Sequence, residues 1–327
     1  MAFTARDVAK KAGVSLATVS RYFSGGKVVS TELARKIEDA ADQLGYEHKG
    51  RRHRNCGVIA VLIPEFPLEF FSEVMREIVD QMPRYDYRVV FIPILEGKDD
   101  YKQYFNEMNI EGVIYLDENI SEDILNYITS KNIRTVMCGG ATLDRRLGMV
   151  HINDLAAGYE GTRYLLGLGH EKLLFLSDRN RSISSVFQRL TGAKRAMEEK
   201  NIPFDESSMV LFGSVTYDMG YRLAKQAVES GREFTAIFAF SDEMAVGAMA
   251  ALKACGVDVP KDVSVLGFDD ITAAGRAVPP LTTIHQPIRQ FVTKSLNMFL
   301  NLYGEEENMD ITLPFDIVQR NTCQKRQ

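Results

Sequence analysis

From Gly57 onward the chain alternates short apolar runs with amphipathic stretches, and that alternation restricts the fold more than any other feature. The runs GVIAVLI (57–63), RVVFIPI (88–94), GVIYL (112–116), TVMCG (135–139), KLLFLS (172–177), MVLFG (209–213), AIFAFS (236–241) and VSVLGF (263–268) read as strands. Between them, 70–82, 121–131, 155–168, 186–200, 217–230 and 242–255 read as helices. Continuous apolar strands separated by helices predict parallel sheets covered on both faces. So long a stretch exceeds one sheet and fits an α/β body of two doubly wound lobes. In such folds ligands sit in the crevice beyond the carboxyl ends of the strands.

The first 56 residues follow a different pattern. They hold 11 Lys and Arg against six acids, a net of +5, whereas the remaining 28 basic and 38 acidic residues give −10. A small basic head on an acidic body is the asymmetry expected when only the head meets phosphates. Thr4-Ala5-Arg6-Asp7 has the capping-box form, and Gly13 suits the end of the helix it opens. Ser15 can cap a second helix from Leu16 to about Phe23, and a third starts near Ser30 and runs to Gly45. Helix, tight turn, helix describes both a capped three-helix bundle and a helix-turn-helix head, which would lay its second helix in the major groove. In the second case Leu16, Ala17 and Thr18 face base edges, Arg21 reaches a guanine or a phosphate, and Ser15 and Ser20 suit phosphate oxygens.

Several classes are disfavoured. MAFTARDVAKK places charges where an export signal needs an apolar core, and no run approaches the ~20 apolar residues of a membrane helix. The expectation is a cytoplasmic protein with no membrane contact. Cys56, Cys138, Cys255 and Cys323 are far apart and read as free thiols, with neither zinc nor disulfide. Pro64-Glu65-Phe66-Pro67 follows the first strand where a dinucleotide-binding enzyme carries glycines, and His151, His170 and His285 are isolated. No enzyme, metal or cofactor is expected. A plain cytoplasmic small-molecule-binding module without a role on DNA is the alternative.

The segment TARDVAKKAGVSLATVSRYFSGGKVVSTELARKIEDAADQLGY resembles the head of the LacI/GalR family of transcription regulators, matching from Asp7 through Arg21, at Val29-Ser30 and at Leu44-Gly45-Tyr46. LLGLGHEKLLFLS, RLTGAKRAM, FAFSDEMAVGAMAALKACGVDVPKDVSVLGFDDI and PPLTTIHQP extend the resemblance over nearly the whole chain. It implies a homodimer on double-stranded operator DNA, in which Leu16 and Ala17 set operator choice and Thr4 joins the DNA contacts. It also implies a periplasmic-binding-protein-like body whose cleft takes a small-molecule effector, by default a sugar, and a repressor of carbohydrate-utilisation genes. The domains implied are 1–46 for the head, 47–56 for a short basic linker and 57–327 for the body. Lobe 1 would take about 57–153 and 286–310, and lobe 2 about 154–285 with the C-terminal tail. Carried over residue by residue, the effector arginine is Arg189 and the effector aspartate Asp269. Phe70 and Phe71 match an aromatic pair, Ser185 a polar position upstream of the arginine, and Ser241-Asp242 a pair that is usually Asn-Asp.

Linker residues Glu47 to Cys56 depart from the family, whose connection is longer and carries leucines that wedge into the minor groove. With Gly50, Arg51, Arg52 and Arg54 and no leucine, the run suits a flexible phosphate-binding tether, an inert spacer being the other reading.

Overall fold

A computed structural model describes residues 4–23, 31–44, 46, 57–64, 69–85, 87–94, 100–108, 110–116, 120–142, 144, 146–178, 185–300 and 309–326. The chain divides into two compact units, Met1–Gly57 and Val58–Gln327.

The first unit holds three helices, α1 (Ala5–Ala12), α2 (Leu16–Phe23) and α3 (Thr31–Leu44). Thr4 donates from both its backbone N–H and its hydroxyl to Asp7 Oδ2, each at 2.7 Å, which opens α1. Gly13, at φ +67°, ends that helix in the left-handed conformation, where a side chain would be strained. Ser15 Oγ then accepts from the Thr18 N–H at 3.0 Å and starts α2. Val8, Ala9, Val19, Ile37, Ala40 and Ala41 form the small core that these caps orient.

In the second unit the elements are β1 (Gly57–Pro64), α4 (Glu69–Gln81), β2 (Tyr87–Ile94), α5 (Asp100–Met108), β3 (Ile110–Tyr115), α6 (Glu122–Ser130), β4 (Arg134–Cys138) and β5 (Gly148–Ile152). The chain continues through α7 (Asp154–Gly167), β6 (Leu173–Asp178), α8 (Ser185–Glu199), α9 (Glu206–Met209), β7 (Val210–Gly213), α10 (Tyr217–Glu229), β8 (Ala236–Ala239) and α11 (Asp242–Ala254). It closes with β9 (Ser264–Asp269), α12 (Thr272–Arg276), β10 (Thr282–His285), α13 (Ile288–Phe299), β11 (Asp310–Leu313) and β12 (Asp316–Val318).

These strands form two six-stranded sheets, ordered β11-β5-β4-β3-β1-β2 and β12-β10-β9-β8-β6-β7. In the first, β11, β5, β4, β3 and β1 pair in parallel. In the second, β7, β6, β8, β9 and β10 do so, while β12 runs antiparallel along the edge of β10. The chain passes between sheets three times: from β5 into α7, from β10 into α13, and from β11 to β12. Asp270, just past β9, ties the later passes together by bonding His285 Nδ1 at 2.9 Å and Arg320 Nη2 at 2.6 Å. Burial alone would raise its carboxyl, but the bonds from His285 and Arg320 outweigh it and hold the group below the ordinary carboxylate range.

Each of the eight apolar runs coincides with a strand to within two residues at either end, Met209 of the sixth run closing α9 instead. Four strands carry no such run, β5, β10, β11 and β12, and each includes polar residues. In β10 the buried Thr282 and Thr283 are compensated by bonds from the tail and from α11. Thr282 N–H donates to Thr322 Oγ1 at 2.8 Å, and the Thr283 hydroxyl donates to Asp242 Oδ1 at 2.5 Å. Among the described residues, no helix is long and apolar enough to cross a membrane.

Candidate binding sites

On the head, α2 has two unlike faces. Val19 is fully buried and Tyr22 packs on the core, whereas Leu16 (41% exposed), Ala17 and Ser20 lie on the open side. The small Ala17 and Ser20 let this face approach a grooved surface closely, and Leu16 beside them offers an apolar contact to a base edge. Ser15 and Thr18 bond each other at 2.7 Å, so one hydroxyl proton of the pair is spent internally and one stays available to a phosphate oxygen. Thr4 has already given its hydroxyl proton to Asp7, whose carboxyl those two Thr4 bonds hold below its ordinary range. A phosphate reaching the Thr4 hydroxyl therefore competes with the capping box. Arg51, Arg52 and the side chain of Arg21 lie outside the described residues, as does the linker.

In the body, Arg189 is the centre of a buried constellation. It sits one turn into α8 from Ser185, on the same face, and both are buried. Its Nε donates to Asp154 Oδ1 at 2.7 Å, its Nη1 donates to the carbonyl of Phe240 at 2.8 Å, and its Cζ lies 3.5 Å from the ring centroid of Phe268. The guanidinium is thus held by a carboxylate, a strand-end carbonyl and an aromatic face at once. Two of its five N–H groups are used in the bonds described, which leaves others for a ligand.

Glycines bring α7 and α8 close enough for this pairing. A Cβ on Gly158 would stand 2.0 Å from the Arg189 carbonyl oxygen, and one on Gly192 would stand 2.0 Å from that of Leu155. Asn153 caps α7 by accepting from the Ala156 N–H at 2.9 Å, which delivers Asp154 to the first turn facing Arg189.

Asp269 ends β9 with φ +117°, an unusual backbone state for a residue with a side chain. Its Oδ1 accepts from Gln286 Nε2 at 2.7 Å. Burial pushes its carboxyl up to about 7, with Arg189 and Gln286 only partly offsetting that rise. The Gln286 Oε1 is buried and has no hydrogen-bond partner. Asp242 is fully buried and accepts from the Thr283 hydroxyl and, at 2.9 Å, from the Ile271 N–H. Burial first, then the neighbouring Asp269, keeps the Asp242 carboxyl well above its ordinary value. Ser241 caps α11, accepting from the Met244 N–H at 3.2 Å. Ser241 therefore starts its own helix, and Asp242 ties α11 to β10 and to the backbone just beyond β9.

Phe70 and Phe71, in the first turn of α4, form an edge-to-face pair with ring centroids 5.4 Å apart, Phe70 buried and Phe71 half-buried. The structure brings Ser185, Arg189 and Asp269 into one buried neighbourhood with four partners that the sequence does not single out: Asp154, Phe240, Phe268 and Gln286. Two of them carry visible signals. Asp154 follows an Asn suited to an N-cap, and Phe268 directly precedes Asp269. Nothing in the sequence pairs position 154 with position 189. Among the described residues, no group of three His, Cys, Asp or Glu side chains could hold a metal ion.

Comparison with known proteins adds to this geometry. Residues 4–48 match the profile of bacterial regulatory proteins of the lacI family, and residues 162–323 match a periplasmic binding protein-like domain. The chain is 30% identical over 329 residues to the HTH-type transcriptional repressor PurR of Vibrio atlanticus, covering 98% of each sequence. It superposes on a LacI family transcriptional regulator from Enterococcus faecium with bound ribose, at 25% identity and a TM-score of 0.75, over 83% of this chain and 100% of that one. It also superposes on the lac repressor dimer bound to operator and the anti-inducer ONPF, with a TM-score of 0.76 over 99% of this chain and 100% of that one. At 24% identity that last likeness concerns the fold alone.

Proposed function

This chain belongs to the lacI family of bacterial regulatory proteins, and from that premise we propose that it is a homodimeric repressor of carbohydrate-utilisation genes, controlled by a sugar held near Arg189 and Asp269. It is a DNA-binding transcription regulator controlled by an effector, and not an enzyme.

One observation carries the sugar reading: Arg189, with N–H groups to spare, shares a buried neighbourhood with the acceptors Asp269 and Gln286 Oε1. A sugar hydroxyl both donates and accepts, so neighbouring hydroxyls can answer the guanidinium and the carboxylate together. The E. faecium relative with ribose is consistent with that chemistry. Ser185 adds a polar group beside Arg189, and Phe70 and Phe71 supply an aromatic face. Ser241 contributes by starting α11 directly after Phe240, and Asp242 by tying α11 to β10 and to the backbone just beyond Asp269.

At the other end of the chain, residues 1–46 engage DNA through Leu16, Ala17 and Thr18, with Arg21, Ser15, Ser20 and Thr4 at the groove edge, and Arg51 and Arg52 of the linker meet phosphates. Residues 47–56 serve as the tether and 57–327 as the sensing and dimerising body. Two heads occupy half-sites roughly 34–36 Å apart, one helical turn. The protein works in the cytoplasm, where both the operator and the effector are met.

The test is linkage. A sugar panel that includes ribose is screened by thermal shift, and each hit is titrated with and without the operator fragment. The expected result is that sugar and operator change each other's affinity by one common factor, about 5–150-fold. Unchanged affinities in both directions would refute the regulatory reading.

A further inference from the structure

The lobes of the body are joined by backbone-to-carboxylate bonds between α4, which belongs with the first sheet, and α11 and α12, which belong with the second. The N–H of Glu69, the first residue of α4, donates to Glu243 Oε1 of α11 at 2.7 Å. The N–H of Thr272, the first residue of α12, donates to Glu73 Oε1 of α4 at 2.7 Å. The Ala273 N–H, next along α12, also acts on the Glu69 carboxyl and favours its charged form.

Helix-opening N–H groups have no partner inside their own helix. Here the first such donor of α4 and of α12 is satisfied by an acid of the opposite lobe, in a charge-assisted bond roughly twice as strong as a neutral one. The same approach gathers three carboxylates. Burial first, then the charges of Glu73 and Glu243, raise the Glu69 carboxyl, with the Ala273 N–H and Arg276 partly offsetting them. Attraction to backbone donors and mutual repulsion oppose each other, which suits a contact that opens and closes.

We propose that Glu73 and Glu243 form a reciprocal catch that holds the two lobes closed, each carboxylate capping the first turn of a helix in the other lobe. The catch fixes the start of α4, where Phe70 and Phe71 follow Glu69 directly. Glu73 and Glu243 are therefore positioning residues for the cleft; this last step rests on the effector reading, whereas the catch itself does not.

The test uses the full-length protein without effector, so that a failure of the sugar reading leaves it intact. Small-angle scattering and amide hydrogen exchange are compared for the parent, Glu73→Ala, Glu243→Ala and the double variant, with Glu73→Gln as the conservative control. The expected result is a larger radius of gyration in the alanine variants. Exchange at the Thr272 amide in Glu73→Ala, and at the Glu69 amide in Glu243→Ala, becomes about tenfold faster or more. Glu73→Gln, which keeps an acceptor, falls between, and exchange in β6, β8 and β9 stays as in the parent. Unchanged scattering with unchanged exchange at both amides would overturn the proposal. So would a uniform loss of protection through both sheets, which marks a general structural role.

Discussion

Replacing Asp154 by alanine strands the Arg189 guanidinium inside the body. The two side chains meet at 2.7 Å with 8% and 6% of their surfaces exposed, so water cannot replace the lost carboxylate without entering the core. Removing one partner of a buried ion pair typically costs about 3–5 kcal/mol, because the other charge remains desolvated. The Phe240 carbonyl and the Phe268 ring still hold the guanidinium, which puts the expected cost at the lower end, about 3 kcal/mol. For a domain of 150–250 residues each kcal/mol moves Tm by roughly 2–4 °C, so Asp154→Ala is expected to melt roughly 6–12 °C lower. The paired variant Asp154→Leu with Arg189→Met removes both charges and is expected to recover most of that loss. Differential scanning calorimetry of the three proteins under one buffer gives the comparison. A drop below about 2 °C in the single variant would show that the pair is solvated, and a double variant less stable than Asp154→Ala would reverse the argument.

Three further outcomes are expected. Gly158→Ala places a methyl 2.0 Å from the Arg189 carbonyl oxygen, so α7 and α8 must part; overpacking of this kind costs about 1–3 kcal/mol, read by urea unfolding, despite the gain in helix propensity. Asp269 is raised in the folded protein to about 7, so its contribution to stability is present below the unfolded carboxylate range and is lost as pH rises through 7. Asp242 titrates with the same sign, and Asp269→Asn is expected to flatten the decline of Tm between about pH 4 and 7 without abolishing it; an unchanged profile would show that Asp269 ionises normally. Ser15→Ala removes the cap of α2 and should cost the head about 1 kcal/mol, seen as earlier loss of helical circular dichroism, with intact melting counting against the cap.

Much of this architecture is legible in the order of residues, for identifiable reasons. In the head the signals are local: Thr4 with Asp7, Gly13 and Ser15 each act within a few residues, and each does so in the structure. The strands β6, β8 and β9 are buried almost completely and so appear as unbroken apolar runs. By contrast β10 hides behind Thr282 and Thr283, whose polarity is neutralised by Thr322 and Asp242, 40 positions later and 41 earlier. The site divides the same way. Arg189 and Asp269 are legible through the resemblance, but the Asp154 carboxylate that orients Arg189 lies 35 positions upstream on another helix. Gln286 is equally hidden, since its bond to Asp269 spans 17 positions and depends on the β10 crossing. Long-range pairing of polar side chains leaves no periodic trace in a single sequence.

The most direct check concerns α2 as the element that meets duplex DNA. Affinity of the full chain for a fragment selected from a randomised double-stranded pool is measured across a series of salt concentrations. The expected plot of log affinity against log salt is a straight line falling by about 0.9 per phosphate contacted. Exchanging Leu16 and Ala17 should alter which fragment is selected while leaving that slope in place. A chain that binds no duplex, or binds with no dependence on salt, would contradict the assignment of its head to DNA.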